Sequence, residues 1–438
     1  MPGFNIRIIY KLSLIFFLVS CTTSKPRPTI QESQSSVVTT NPITTNKEDA
    51  FLEGMFSEQH GIFDSILANR KNWNVQVIYT QINRAANGRA NLKYYYFNKK
   101  DGAYFYPAST VKFPVALLAL QKLNELKIPA LNRNTTMITE AAYSGQTPVY
   151  NDPNTPDGKP SIAQYIKRVF LVSDNDAYNR LYEFLGQEYI NKELHRMGYE
   201  ETRIVHRLEI FLNEDENRHT NPINFYDPGG KLVYSQPMQF NTVQYSPRND
   251  FLGKGFYSNG QLHNEPMNFS KKNRISLESL HNILLSVIFP DKARASQRFK
   301  ISEDDRKFVL KYMSQFPRES LYPSYDSSYQ DAYVKLLLYG NQKEPIPNHI
   351  RIFNKEGDAY GQLTDIAYVA DLENKIEFMV SATIYCNTDG ILNDDAYDYE
   401  TIGLPFLKEL GKAIYKYESE RKRNKVPDLS SIMFTYDK

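Results

Sequence analysis

The chain has 438 residues, 41% hydrophobic and 23% charged, enough to build one large core or two smaller ones. A formal net charge of +2 gives no pull toward nucleic acid or any strongly charged partner. Two cysteines exclude a disulfide framework or a cysteine-rich metal site, and seven scattered histidines show no metal-ligand spacing, so no metal or cofactor is expected.

The N-terminus opens with Arg7 and Lys11 before the apolar run "LSLIFFLVS", too short for a membrane span. It closes in "LVSC", Leu18 to Cys21, which resembles the lipobox of bacterial lipoprotein signals. That resemblance implies cleavage of residues 1–20 and acylation of Cys21. The mature protein would then be exported, periplasmic or at the cell surface, and lipid-anchored to a bacterial membrane. A simple secretory peptide is the alternative. Residues 21–47, rich in Ser, Thr and Pro without apolar periodicity, read as a disordered tether.

Helical spacing at Phe51, Met55, Ile62, Phe63 and Ile66 predicts one helix over Glu48 to Arg70. "WNVQVIYTQI" and "KYYYFNKK" predict two strands around a turn at Asn87-Gly88. "FYPASTVKFP", Phe105 to Pro114, leads into "VALLALQKL", apolar nearly all round as a central buried helix would be. "SIAQYIKRVFLVSDNDAYNRLYEFLG" predicts two helices broken at Ser173-Asp174-Asn175, the second closing at Gly186. Residues 214–272, rich in Asn, Gly, Pro and Tyr, read as a loop-rich insertion, with another near 318–348. "RISLESLHNILLSVI" and "DDRKFVLKYMSQF" are helical. Strand-like "HIRIFNKEGDAYG" and "LTDIAYVADLENKIEFMVSATIYC" follow, with a turn at Glu373-Asn374, and a final helix closes a single domain, 48–438. Strands at both ends around a helical middle predict an α+β fold: one antiparallel sheet assembled from both ends, plus an all-helical region. Cys386, at a strand end, reads as a small buried hydrophobe.

Ser109 stands three residues before Lys112 at a helix start, so the two share a face and the amine can reach the hydroxyl. A serine is a poor nucleophile until a base takes its proton, and burial lowers a lysine pKa until it can serve. By itself S-x-x-K describes a buried helix start equally well. About one or two matches arise by chance in a chain this long, and Ser419 to Lys422 is a second. Ser173-Asp174-Asn175 alone reads as a helix cap, and "HRLEIFLN" alone as an amphipathic helix.

Together, "F-Y-P-A-S-T-V-K", "S-D-N" and "R-L-E-I-F-L-N" resemble the class A β-lactamase family of penicillin-recognising serine enzymes. The resemblance covers about residues 50–420. It implies a β-lactamase/transpeptidase-like three-layer α/β/α sandwich and a small-molecule β-lactam or other acyl substrate, with no nucleic-acid partner and a monomeric chain. It implies that Ser109 attacks the lactam carbonyl with Lys112 as base. Ser173 would relay a proton to the leaving nitrogen, and Asn175 would orient the acyl side chain. Glu209 with Asn213 would activate the deacylating water. The backbone N–H groups of Ser109 and Asp358 would form the oxyanion hole. For Arg207, expected to pin the Glu209 loop through an ion pair, Asp215 and Asp227 are the candidate partners.

The third motif departs from the family. Where Lys-Thr/Ser-Gly is expected the chain has Lys355-Glu356-Gly357. Lys355 would still draw in a substrate carboxylate, but an ionised Glu356 beside it would repel that group unless it turns away or pairs with Lys355. Three readings follow: a β-lactamase, a serine esterase or peptidase acting on a non-β-lactam substrate, and a non-catalytic binding lipoprotein.

Overall fold

The computed structural model describes residues 46–100 and 102–438. Cys21, the signal segment and nearly all of the proposed tether lie outside the described residues.

The sheet is built as the strand pattern predicts. The N-terminal hairpin, β1 (Gln76–Arg84) and β2 (Ala90–Phe97), joins the C-terminal meander, β3 (Ile350–Ala359), β4 (Gln362–Asp371) and β5 (Ile376–Tyr385). The spatial order is β3-β4-β5-β1-β2, antiparallel throughout, with β1 pairing β5 from Gln76↔Thr383 to Gln81↔Phe378. The two chain ends therefore close one sheet, and β3 is its edge.

Both faces of the sheet are covered, because successive residues of its central strands are buried on opposite sides. Val77, Tyr79, Ile352, Val369 and Val380 enter one apolar cluster, whereas Ile78, Phe353, Tyr368 and Met379 enter another. Against the first pack α1 (Asn46–Ser57), α2 (Ile62–Ala68) and the C-terminal helix Leu404–Glu420. The single helix expected over 48–70 is thus two helices, broken where Gly61 adopts φ 83°. The second cluster holds the helical region: α3 (Lys112–Leu126), α4 (Ile162–Val172), α5 (Asn175–Leu185) and, further on, α6 (Leu277–Ile288) and α7 (Glu303–Ser314). The result is the three-layer α+β sandwich. α3 is buried from Lys112 through Gln121, in keeping with its nearly unbroken apolar run.

Residues 214–272 are more ordered than a loop-rich reading predicts. Within them Ile223–Tyr226 pairs both Leu232–Gln236 and the body strand Thr136–Thr139, and Gly255–Ser258 pairs Gln261–His263 and Ile391–Leu392. Cys386 is buried and free. Among the described residues no helix is long and apolar enough to cross a membrane.

His281 on α6 is fully buried against the sheet, bridging Thr80 Oγ1 and Ser381 Oγ at 2.8 Å each. Burial lowers its pKa from 6.5 to about 3. Between these values the unfolded chain binds a proton that the folded chain refuses, so stability is lost as pH falls from 6.5 toward 3. His281→Gln should show a shallower acid-side loss of stability than wild type in urea unfolding between about pH 7 and about pH 5. Parallel curves would remove this role from His281.

Candidate active site

The turn Ala108–Val111 carries Ser109 immediately before α3. Ala108 has φ 45°, and Thr110 Oγ1 donates to Pro107 O at 2.6 Å, which holds the turn. Lys112 opens α3 and is 0% exposed. Its Nζ donates to Ser173 O and, at 2.6 Å, to Asn175 Oδ1, with Ser173 Oγ at 3.4 Å. These acceptors meet it because α4 stops at Ser173, which has φ 59°, and α5 starts at Asn175. Asp174 between them caps α5 through Ala177 N at 2.8 Å. The capping reading of Ser-Asp-Asn is therefore correct for its middle residue, while the flanking two face the lysine.

Burial lowers the Lys112 pKa well below the usual lysine range, and the Lys355 charge lowers it further. Lys355, on the edge strand, donates to Ser173 Oγ at 2.7 Å, so that hydroxyl lies between two lysines. Lys355 also donates to both carboxylate oxygens of Glu356 at 2.9 Å. Of the two alternatives for Glu356, the structure takes pairing. Burial alone would raise the Glu356 pKa; Lys355 outweighs it and holds the carboxyl below its usual range.

Gly357 is where the edge strand meets the turn that carries Ser109. A Cβ there would lie 2.7 Å from Ser109 N and 2.8 Å from Pro107 O, so only glycine permits the approach. Asp358 follows it on the wall of the same cavity.

Glu209 is exposed, has φ 53°, and accepts a hydrogen bond from Asn175 Nδ2. Its segment is a loop rather than an amphipathic helix. Asn179 on α5 clamps the preceding residue, accepting from Leu208 N at 2.9 Å and donating to Leu208 O at 3.0 Å. The partner of Arg207 is Glu183 on α5, at 2.9 Å, both side chains being almost fully buried. Asp215 instead accepts from the Tyr143 hydroxyl, and Asp227 closes a turn through Lys231 N. Nor does the structure bring Asn213 to Glu209. Its side chain accepts from Glu216 N at 2.9 Å, capping the short helix Glu214–Arg218, and it is absent from the cavity wall.

Ser109, Ser173, Asn175, Glu209, Glu356 and Asp358 line one cavity of about 1190 Å³, with Lys112 and Lys355 buried behind it. The sequence motifs did not identify the rest of the wall, including Tyr329, Tyr333, Tyr399 and Glu400. The second S-x-x-K match, Ser419 to Lys422, lies exposed at the end of the C-terminal helix. Among the described residues no cluster of three or more His, Cys, Asp or Glu is placed to hold a metal ion.

Two substitutions test this geometry. Gly357→Ala should push the edge strand off the Ser109 turn and lower the rate of Ser109 acylation by about 100-fold with the sheet intact by circular dichroism. Wild-type rates would show that the close approach is unnecessary. Arg207→Ala leaves Glu183 with Arg180 as its remaining cation, and should cost about 3 kcal/mol in urea unfolding. A loss below about 1 kcal/mol, the range of exposed pairs, would show that the pair does not hold the loop.

The model of the β-lactamase enzyme family matches residues 63–417. No curated protein matches the chain. Among solved structures, a β-lactamase from Xanthomonas campestris pv. campestris is 14% identical, covering 84% of this chain and 98% of its own, with a TM-score of 0.44. PBP-A is 15% identical over 84% of this chain and 95% of its own, with a TM-score of 0.45. A β-lactamase from Sphaerobacter thermophilus is 13% identical over 83% and 98%, with a TM-score of 0.43. The family match spans the sheet, the helical region and every residue placed around Ser109, and the chain belongs to the β-lactamase enzyme family.

Proposed function

We propose that the protein hydrolyses β-lactams through an acyl-enzyme on Ser109. The observation that carries this reading is the convergence of the buried Lys112 and Lys355 on Ser173 and Asn175, which line one cavity with Ser109 and Glu209. Ser109 Oγ attacks the lactam carbonyl carbon while its proton passes to the neutral Lys112 amine. The N–H groups of Ser109 and Asp358 receive the oxyanion; removing one such donor typically costs about 3 kcal/mol of transition-state stabilisation. As the C–N bond breaks, the proton reaches the leaving nitrogen through Ser173, whose hydroxyl lies between the two lysines. Glu209, oriented by Asn175, then takes a proton from water. The resulting hydroxide attacks the ester carbonyl, the acyl C–O bond to Ser109 breaks, and the proton held by Glu209 passes to Ser109 Oγ. Because Asn213 caps a helix instead, Asn175 alone flanks Glu209 in this scheme.

A second reading, an esterase or peptidase acting on a non-β-lactam acyl compound, is favoured by the Lys355–Glu356 pair. The lysine charge that would draw in a substrate carboxylate is already matched. A substrate carboxylate would therefore meet an ion pair with little net charge to attract it.

In the N-terminal segment, we propose lipidation at Cys21 and anchoring of the exported domain to a bacterial membrane, on the strength of "LVSC". Cys21→Ser should release the protein from the membrane fraction; retention there would remove the anchor.

Chromogenic cephalosporin turnover should vanish in Ser109→Ala, and Glu209→Gln should accumulate a covalent adduct at Ser109 seen by mass spectrometry. Turnover in wild type no greater than in Ser109→Ala would sink the β-lactam reading. The pH profile of acylation should rise through a pKa well below that of an ordinary lysine, since only the neutral Lys112 amine accepts the proton. Glu356→Thr should raise kcat/KM for a penicillin by about tenfold or more. An unchanged value would show that the paired carboxylate does not oppose substrate.

A further inference from the structure

The cavity wall is acidic and aromatic together. Glu209, Glu356, Asp358, Asp395 and Glu400 line it, and of these only Glu356 has an ion-pair partner among the described residues. The cations nearby are committed elsewhere. Lys112 and Lys355 lie behind the wall, and Arg168, which does line it, is engaged by Asp174 at 2.7 Å and Asp152 at 3.3 Å. A cleft lined by one sign of charge concentrates the opposite sign inside it.

The rings of the wall add an independent preference of the same sign. Tyr329 and Tyr333 face the cavity with ring centroids 4.9 Å apart, and Tyr397 and Tyr399 lie on it with centroids 5.4 Å apart. Tyr333 is 41% exposed, so its ring surface is available to a ligand. Burial raises the Tyr333 pKa first, and Tyr329 and then the charges of Glu356, Asp358 and Glu209 raise it further. Tyrosine faces beside carboxylates form an environment that receives an organic ammonium group.

We infer that the acyl compound hydrolysed at Ser109 carries a cationic ammonium group, held by the carboxylates and tyrosine faces of this cavity. This rests on the acyl-enzyme reading above, but not on the acyl compound being a β-lactam. It extends the consequence of Glu356 from loss of a carboxylate subsite to selection of the opposite charge.

The test uses the full-length protein in neutral detergent and three nitrophenyl esters of equal acyl length, ending in trimethylammonium, methyl or carboxylate. Labelling of Ser109 by an uncharged fluorophosphonate is measured alongside. The expected order of kcat/KM is trimethylammonium, methyl, carboxylate, with the first exceeding the last by about tenfold or more at low salt. The ratio should shrink as salt rises. It should also shrink in the double variant Asp395→Asn/Glu400→Gln, with the methyl ester reporting that the variant is folded and active. Equal rates, or preference for the carboxylate ester, with Ser109 still labelled would overturn the inference and leave the acyl-enzyme reading standing. Absence of labelling in wild type would overturn both.

Discussion

The desolvation of Lys112 organises this molecule around its cavity. An ammonium taken wholly out of water is costly unless acceptors surround it, and its pKa falls so that the neutral amine is favoured. The acceptors come from the break between two helices, Ser173 and Asn175, and a second lysine from the sheet edge adds a like charge nearby. Holding these groups together requires α3 to share a core with one face of the sheet, with the turn before it against the edge strand at Gly357. The same burial that makes the helix a core element lowers the pKa of its first lysine.

The edge strand adds a second constraint. Lys355 and Glu356 are adjacent and both almost completely buried, so each compensates for the charge of the other. Breaking such a pair strands one charge in a poor dielectric. The pair therefore does two things: it holds Lys355 beside Ser173, and it engages that lysine before a ligand arrives. Carboxylates and phenols are prominent among the groups that line the cavity.

The loop carrying Glu209 is held from α5 rather than from its own insertion. Arg207 reaches back to Glu183, and Asn179 clamps the peptide before Glu209. Neither partner was legible in the sequence, where Asp215 and Asp227 were nearer to the expected place. Helix α5 presents Glu183 and Asn179 one turn apart, and only its docking beside the loop reveals which acid is in reach. Asn213 failed for a related reason. Its capping of Glu214–Arg218 is a local contact, available as soon as that turn forms, and it engages the side-chain oxygen.

By itself, the sequence determined whatever depends on neighbours along the chain. The order of strands and helices, the break at Ser173-Asp174-Asn175, the shared face of Ser109 and Lys112, and the glycine at 357 are all set by local spacing and backbone preference. Gly61 was readable in the same way, although the longer apolar period masked the break it makes. The tertiary structure alone decided the contacts between distant elements: Lys355 on Ser173, Glu183 on Arg207, and the collection of tyrosines and acids from residues 329–333 and 395–400 into the cavity that Ser109 also lines. Charge pairing and cavity chemistry act over a few ångströms of space regardless of sequence distance, and that space exists only after the two ends of the chain have closed one sheet.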